Sequence, residues 1–380
     1  MNLSIGIVGL PNVGKSTLFN ALLKKTVAYA ANYPFATIEP NVGVVEVPDE
    51  RLTKLAEIVN TQKIIPAAVE FYDIAGLVKG ASTGEGLGNK FLAHIREVAA
   101  IAHVVRIFED TGVIHVANKV DPLSDIQTVE TELILADMAT LEKQQEPKGK
   151  ASKEDIFRYE VVKKLKEQMN NGIPARKVAL EEEEKLAIKD LQLLTMKPVI
   201  FVFNVSENQL ADIENTKKQI NELFESLRAQ VKQSLSKEIA TSSLTPRNDY
   251  IYLNAKLENE VLAFNEEDQK SYLQEYGLTQ TGLNRLIQQA YSTLGLISFL
   301  TAGEKEVRAW TITQGTLAPK AAATIHTDFE THFIKADIAS FNNFVNLGGW
   351  VKCREAGKVQ IVGKDYEMKD GDIVEFKVGV

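Results

Sequence analysis

The sequence lacks three features, and each absence excludes a class of protein. Its single cysteine, Cys353, allows neither an intramolecular disulfide nor a cysteine-based zinc cluster. No apolar run approaches the ~18 residues that a membrane-spanning helix needs. Positive charge is not in excess either, because 43 Lys and Arg stand against 51 Asp and Glu, for a net charge of −8. We therefore expect no uniformly basic nucleic-acid-binding surface, although a local basic patch is compatible with this balance.

The start of the chain and its length bound the cellular setting and the number of domains. A strand-like run begins at Leu3 and leaves no room for a signal peptide, so we expect a cytoplasmic protein with no membrane partner. We also expect a monomer. With 380 residues, of which 44% are apolar, the chain is too long for one ordinary core, and two or three domains are expected.

The most informative stretch, residues 9–16, reads G-x-x-x-x-G-K-S. An apolar run precedes it and a segment with helical spacing follows, which is the strand–loop–helix context of a phosphate-binding loop. The glycines let successive backbone N–H groups turn towards phosphate oxygens, and the helix adds its positive end. Lys15 would reach the β- and γ-phosphates, and Ser16 would offer its hydroxyl to Mg²⁺. We predict that the nucleotide is bound here by Asn12, Val13, Gly14, Lys15, Ser16 and Thr17.

Two further segments are predicted to complete the site for Mg²⁺ and the γ-phosphate. Thr37 lies in a proline-containing loop after the first helix, where switch proteins sense the γ-phosphate. It is the candidate for a second hydroxyl on the metal, and the alternative is an ordinary loop threonine. Asp73 ends a strand-like run and begins a D-x-x-G motif, so its carboxylate is a candidate metal ligand through water. The N–H of Gly76 is a candidate donor to the γ-phosphate.

The residue after Gly76 departs from the pattern of Ras-type GTPases, which place a water-orienting glutamine there. Leu77 stands at this position and cannot polarise water, so either hydrolysis is slow or another group takes that role. His115 is a candidate for this group, and the alternative is a surface histidine. The predicted catalytic set is Lys15, Thr37, Gly76 and His115.

Asn204, Val205 and Glu207 are predicted to bind the base. They follow a buried-strand pattern at the place where guanine-binding domains carry N-K-x-D, and residues 254–256 stand where S-A-K is usual. The missing lysine and aspartate weaken guanine selectivity, whereas the amide of Asn204 still matches N7 and the N6 amino group of adenine. A literal N-K-x-D at residues 118–121 keeps guanine open, but no clear strand runs into it and we interpret it as a loop.

Composition and periodicity divide the chain into four segments of an α/β protein. We predict a nucleotide-binding domain in two parts, residues 1–132 and 198–296, with a helical insertion at residues 133–197 and a small α+β module at residues 297–380. Residues 148–177 hold nine Lys and Arg against four Asp and Glu. This basic stretch is either a nucleic-acid contact or a solvated helical face.

The phosphate loop combines with residues 32–41, 73–81, 84–89, 204–207, 307–311 and 326–330 in a pattern that resembles the YchF group of Obg-like ATPases over essentially the whole chain. The resemblance implies a Ras-like P-loop domain of the Obg type, a coiled-coil insertion and a C-terminal TGS domain with a ubiquitin-like β-grasp fold. It also implies ATP hydrolysis, ribosome association and the GTPase class whose catalytic glutamine is replaced by a hydrophobic residue, here Leu77.

The resemblance adds K⁺ as a candidate cofactor beside Mg²⁺. Relatives with the hydrophobic replacement often have an asparagine at the position of Asn12, where its carbonyl can coordinate K⁺, and the alternative is an asparagine that only shapes the loop. The expected function is a slow ATP-hydrolysing switch in translation or stress response, with ATP and the ribosome, both rRNA and protein, as partners. Two alternatives stay open: a GTPase of the same fold, and a ribosome-binding scaffold that binds ATP with negligible turnover.

Overall fold

The structure is a computed structural model in which residues 3–32, 41–74, 87–110, 119–149, 151–234 and 250–379 are described. Four residues of the predicted switch and catalytic segments, Thr37, Gly76, Leu77 and His115, lie outside these ranges. The described strands are β1 (Ser4–Val8), β2 (Val42–Glu46), β3 (Ile64–Ile65), β4 (Ala68–Asp73), β5 (Ala100–Arg106), β6 (Val199–Asn204), β7 (Tyr250–Leu253), β8 (Leu296–Ala302), β9 (Val307–Thr313), β10 (Phe333–Ser340), β11 (Gln360–Val362) and β12 (Asp372–Val378).

Helices separate most of these strands, as the sequence pattern of an α/β protein requires. The described α-helices are α1 (Lys15–Asn32), α2 (Glu50–Val59), α3 (Leu87–Glu97), α4 (Pro122–Glu142), α5 (Lys153–Asn170), α6 (Glu182–Ala187), α7 (Glu207–Ala211), α8 (Ile213–Ser234), α9 (Ala255–Val261), α10 (Glu266–Glu275), α11 (Gly282–Thr293), α12 (Ala318–Ala323), α13 (Asp328–Thr331), α14 (Phe341–Leu347) and α15 (Trp350–Glu355). None of the helices in the described part of the chain is long and apolar enough to cross a membrane.

The first compact unit comprises Met1–Gly43 and Glu70–Leu286. Its six-stranded sheet has the order β2-β4-β1-β5-β6-β7. Strand β1 runs parallel to β4 and β5, and β6 runs parallel to β5 and β7. Every residue of β1 and of β5 is buried, which explains their continuous apolar runs, because helices cover both faces of a parallel sheet. The predicted Ras-like P-loop fold is confirmed.

The helical insertion of this unit has a hydrophobic core of its own, to which α4 contributes Leu141 and α5 contributes Val161 and Leu165. Helix α4 already begins at Pro122, so the predicted boundary at residue 133 falls inside a continuous helix. Asp121 caps that helix by accepting a hydrogen bond from the N–H of Ser124 at 3.1 Å. The described part of the N-K-x-D copy, Lys119 to Asp121, is therefore a helix entry, in line with its interpretation as a loop.

The second compact unit comprises Val44–Val69 and Ile287–Val380, and its sheet has the order β11-β10-β12-β8-β9-β3. Strands β8 and β9 are antiparallel, β10 is antiparallel to β11 and β12, and β12 runs parallel to β8. One face packs against α12 in a core that includes Phe299, Ala321, Phe333 and Val374. This mixed sheet with a helix on one face agrees with the predicted α+β module of β-grasp type.

The division by contacts differs from the predicted one for residues 44–69, which we expected in the nucleotide-binding domain. Helix α2 and strand β3 of this range belong to the second unit, since Leu52 and Leu55 of α2 are buried and β3 pairs in parallel with β9. The guanidinium of Arg51 also forms an ion pair with Asp370 at 2.7 Å. Local sequence patterns predicted these elements, but they carry no information on which distant segment the elements pack against.

Candidate nucleotide-binding site

The carboxyl ends of four parallel strands meet at one edge of the first unit's sheet. The phosphate loop follows β1, Arg106 ends β5, Asn204 ends β6 and Asn254 follows β7. Around these ends lies an open cavity of about 630 Å³. Ligands of open α/β sheets bind in the crevice outside the carboxyl ends of the strands, so this is the position expected of a functional site.

Seven of the predicted nucleotide-binding residues line this cavity: Asn12, Gly14, Lys15, Ser16, Thr17, Asn204 and Glu207. Gly14 has a φ of 103°, and a Cβ at this position would lie 2.3 Å from Nδ2 of Asn204. A Cβ on Gly9 would lie 2.5 Å from the carbonyl oxygen of Val104. The two glycines of the motif are therefore needed because other chain segments approach the loop backbone closely.

Lys15 is the first residue of α1 and is only 7% exposed. Its ammonium donates a hydrogen bond to the carbonyl of Leu10 within the same loop, at 2.5 Å. Burial lowers the pKa of Lys15 to about 8, and the nearby carboxylate of Asp73 partly offsets this shift. Lys15 thus places one partly desolvated positive charge at the cavity, which is where a polyphosphate would be neutralised.

The amide of Asn204 joins the phosphate loop to the turn after β7. Its Nδ2 donates to the carbonyl of Val13 at 2.9 Å, and its Oδ1 accepts from the N–H of Ala255 at 3.0 Å. One amide hydrogen and one lone pair of Oδ1 are not used by these two bonds. Asn204 therefore positions two walls of the cavity and keeps the capacity to pair with a base edge.

Asn254 makes a second connection of the same kind one strand further along. Its Nδ2 donates to the carbonyl of Val205 at 2.8 Å, and its Oδ1 caps α9 by accepting from the N–H of Leu257 at 2.9 Å. A serine, which is commoner here in guanine-binding domains, could cap the helix but is too short to hold both partners in this way.

Two of the predicted binding residues, Val13 and Val205, are not among the residues that line the cavity. Val205 is 0% exposed and packs with Leu210 and Val261. Val13 is 1% exposed and contributes its carbonyl oxygen to Asn204. The side chains of both residues therefore lie in the core and not at the cavity.

Glu207 is the first residue of α7 and lines the cavity. The helix is capped by Ser206, whose Oγ accepts from the N–H of Gln209, while the Gln209 side chain accepts from the N–H of Ser206. The amide nitrogen of Gln209 then donates to the carbonyl of Ile107 at 3.0 Å, so α7 is tied to the end of β5. The carboxylate of Glu207 is thus presented from a fixed helix start.

Eight residues that line the cavity were not among the predicted set: Arg106, Phe108, Asp110, Ser206, Asn208, Asn254, Ala255 and Lys256. Most follow the carboxyl ends of β5, β6 and β7. The signal that could have found them is the strand-end rule, because every residue after a parallel strand of this sheet is a candidate for the crevice. No motif spacing marks Arg106 and Phe108.

The residues proposed to hold Mg²⁺ are Ser16, Thr37 and Asp73, of which Ser16 and Asp73 are described. Ser16 is exposed at the cavity, and Asp73 ends β4 beside Lys15. Burial raises the pKa of Asp73, and the ammonium of Lys15 acts against that rise. One exposed hydroxyl and one carboxylate beside a phosphate loop fit a Mg²⁺ ion, which takes few protein ligands and keeps water and phosphate oxygens as the others.

Comparison with known proteins places this site in a family. A profile described as MMR_HSR1, 50S ribosome-binding GTPase, matches residues 4–137, and one described as YchF-GTPase_C, protein of unknown function (DUF933), matches residues 296–379. The protein named "Ribosome-binding ATPase YchF" of Bacillus subtilis is 47% identical over 384 residues, which cover 100% of both chains. The chain belongs to the YchF family.

Further relatives of the YchF family agree with this. The protein of the same name from Escherichia coli O157:H7 is 47% identical over 385 residues, again covering 100% of both chains. A solved structure, that of the Schizosaccharomyces pombe YchF GTPase, is 37% identical with a TM-score of 0.83, and the match covers 99% of this chain and 98% of that one. The predicted family and fold class are confirmed, whereas the printed names of the relatives differ in the nucleotide, ATP or GTP.

Proposed function

We propose that this chain binds ATP with Mg²⁺ in the cavity at the sheet edge, hydrolyses it slowly to ADP and phosphate, and acts as a nucleotide-dependent switch on the ribosome. The observation that carries the proposal is the convergence, on one cavity, of the phosphate loop with Lys15, the half-engaged amide of Asn204 and the aromatic ring of Phe108. The curated relatives named ribosome-binding ATPase support the same activity. A ribosome partner places the protein in the cytoplasm, and we propose that it acts there as a monomer.

In this proposal each end of the cavity performs one task. Lys15 and the N–H groups of the loop bind the phosphates, and Mg²⁺, held by Ser16 and by Asp73 through water, neutralises the charge that develops on them. Thr37 and Gly76 would complete the metal and γ-phosphate contacts, and His115 would orient the attacking water in place of the glutamine that Leu77 replaces. Asn12 is proposed to hold K⁺ beside the phosphates, and equal hydrolysis in KCl and NaCl at matched ionic strength would remove that role.

The base end of the cavity favours adenine. The amide hydrogen that Asn204 keeps can donate to N7 of adenine, and the lone pair of its Oδ1 can accept from the N6 amino group. The ring of Phe108 offers a stacking surface, and Glu207 stands where guanine-binding domains have aspartate. A GTPase of the same fold is the second candidate, because a matching profile and a solved relative carry that name.

The test is steady-state phosphate release from ATP and GTP, with and without purified ribosomes. We expect slow ATP turnover that ribosomes accelerate. Lys15→Ala should lose triphosphate binding by at least ~2–3 kcal/mol, the scale of a removed charged partner. Lys24→Ala is the matched control, because Lys24 is exposed on the same helix and bonds the carbonyl of Asn259.

Each other outcome selects an alternative. Faster phosphate release from GTP than from ATP would support a GTPase of the same fold. ATP binding with no phosphate release, either with or without ribosomes, would support a ribosome-binding scaffold. Near-normal ATP affinity in Lys15→Ala would reject the phosphate-loop site itself.

A further inference from the structure

Arg106 is an unusual residue for the end of a central strand. It is the last residue of β5, it is 2% exposed, and it is among the largest fully buried side chains of the described chain. Burying a guanidinium is costly unless its N–H groups find acceptors. No sequence motif singled it out, and the phosphate chemistry described above does not use it.

Among the described residues, two acceptors of Arg106 lie in the segment that directly follows it. Nε donates to the carbonyl of Phe108 at 2.9 Å, and Nη2 donates to the carbonyl of Asp110 at 3.4 Å. The guanidinium carbon also lies 4.8 Å from the centre of the Phe108 ring. One planar side chain thus fixes both the backbone of residues 108–110 and the face of the ring, which suits the rigid donor fork of arginine and not the single ammonium of lysine.

This segment forms one wall of the nucleotide cavity, since Arg106, Phe108 and Asp110 all line it. Two hydrogen bonds to Ile107 hold the start of this segment. The N–H of Ile107 donates to the carbonyl of Asn204 at 3.2 Å, and the side-chain amide of Gln209 donates to the carbonyl of Ile107. Residues 107–110 are therefore held to the same strand end that carries Asn204. Of the described residues that line the cavity, Phe108 is the aromatic one.

We propose that Arg106 is a positioning residue for nucleotide recognition: it holds the Phe108 ring as the stacking wall for the base. The proposal rests on the proposed function, because it takes the cavity as the nucleotide site. Arg106 acts through Phe108 and the carbonyls of residues 108 and 110, so its loss loosens contacts to the base and leaves the phosphate contacts of Lys15 as they are.

The experiment compares two ligands on the full-length protein, ATP and inorganic tripolyphosphate, each with Mg²⁺, by calorimetry. Arg106→Met and Phe108→Ala should each weaken ATP binding about tenfold, within the range found for one base stacked on one aromatic side chain, and leave tripolyphosphate affinity unchanged. The double variant should be no weaker than either single variant, because both changes remove the same contact. Arg106→Lys, which keeps the charge but not the fork, should restore only part of the affinity.

Arg285→Met is the matched control. Arg285 also stacks on an aromatic ring, 4.3 Å from the centre of Tyr252, and donates to the carbonyl of the same tyrosine at 2.8 Å, but it does not line the cavity. Its loss should leave the affinity for both ligands unchanged.

Three results would overturn the proposal: equal losses for ATP and tripolyphosphate in Arg106→Met, unchanged ATP affinity, or additive losses in the double variant. If Arg106→Met does not fold, the same cycle is run with Arg106→Lys and decided by the same criteria. Lys15→Ala separates the two hypotheses, because unchanged binding of both ligands there would remove the nucleotide site, whereas a loss there with no effect of Arg106 would remove only the positioning role.

Discussion

At the scale of single residues, the side chains at the base end of the cavity are held in place by hydrogen bonds and packing contacts with their neighbours. Asn204 and Asn254 each bond two backbone groups, and Val205 between them is buried. A lysine at position 205, as in N-K-x-D, would have to enter the cluster of Leu210 and Val261. A small apolar residue at position 205 is therefore required by the packing of this cluster. The preference for ATP over GTP is best tested by changing Glu207 alone.

Glu207→Asp should shift the nucleotide preference towards GTP. The shorter carboxylate matches the residue that accepts from N1–H and the 2-amino group of guanine, and one charged hydrogen bond is worth about tenfold in affinity. The ratio of the dissociation constants for ATP and GTP measures the effect. Glu214→Asp, an exposed change on α8 where Glu214 pairs with Lys217, should leave the ratio as it is. If Glu207→Asp also leaves it unchanged, the selectivity comes from other contacts.

His103 should make the stability of the first unit depend on pH. It is buried in β5, and its Nε2 has no hydrogen-bond partner in the part of the chain that the structure describes. Burial, with smaller effects of Arg176 and Lys15, lowers its pKa from 6.5 to about 3. Below pH 6.5 the unfolded chain binds a proton that the folded chain does not, so stability is full above this pH and falls as the pH drops towards 3.

The expected slope of this contribution is at most ~1.4 kcal/mol per pH unit. His103→Leu should remove it, which denaturant unfolding at pH 7 and pH 5 would measure as a smaller loss of unfolding free energy than in the wild type. The exposed His326→Gln is the control and should keep the wild-type loss. An identical pH dependence in His103→Leu would contradict the prediction.

At the scale of elements, the helical insertion is less basic than residues 148–177 suggest. Arg158 pairs with Asp190 at 2.8 Å, and Lys164 pairs with Glu184 at 2.9 Å. Arg176 pairs with Glu130. The acidic partners lie outside the counted stretch, so the surplus of positive charge is partly neutralised within the fold. We predict that this insertion supplies the salt-dependent part of ribosome binding, and that it does so through exposed lysines such as Lys153 and Lys163.

Neutralising the exposed pair, Lys153→Gln with Lys163→Gln, should lower the slope of log affinity against log salt by about 1–2, because each phosphate contact contributes about 0.7–0.9. The matched double change, Arg158→Gln with Lys164→Gln, removes two charges that are already paired and should leave the slope nearly unchanged. Co-sedimentation with ribosomes over a salt series measures both. Equal slopes in the two double variants would show that the insertion does not contact RNA through these side chains, and the C-terminal module would then be the main anchor.

At the scale of the whole molecule, the second unit is assembled from two segments far apart in the sequence. One of these segments lies early in the chain, between the predicted switch loop and Asp73. It contains α2 and β3, which belong to the C-terminal unit. Arg51 bonds both Asp49 and Asp370, and Lys63 pairs with Glu306 at 2.6 Å. The C-terminal module is thus not a separable terminal domain.

Leu55→Ala should therefore destabilise the C-terminal unit, although it lies early in the chain. Leu55 is 0% exposed on α2, and truncation of a buried leucine costs about 2–5 kcal/mol. Hydrogen exchange should show lost protection in β8, β9 and β12 and unchanged protection in β5. Leu165→Ala, at an equally buried position of the insertion, is the control and should spare the C-terminal strands. Loss of protection confined to residues 44–69 would contradict the shared core.

What the sequence by itself determined are features whose physical cause is local. The phosphate loop was found because its glycines, Lys15 and Ser16 must stand at a set spacing between a strand and a helix. The strands β1 and β6 were predicted because buried parallel strands need continuous apolar runs, and the cavity lies where such runs end. The resemblance of motifs along the chain predicted the family and the β-grasp module, and full-length relatives confirm the family.

Only the tertiary structure decided which distant groups meet. It placed α2 and β3 with the C-terminal strands, paired Lys164 with Glu184, and joined Asn204 to the backbone of Val13 and Ala255. It also showed that the side chain of Val205, a predicted binding residue, lies in a buried cluster. These outcomes depend on packing and pairing between segments whose separation along the chain carries no signal, because burial, charge neutralisation and hydrogen-bond satisfaction are settled by neighbours in space.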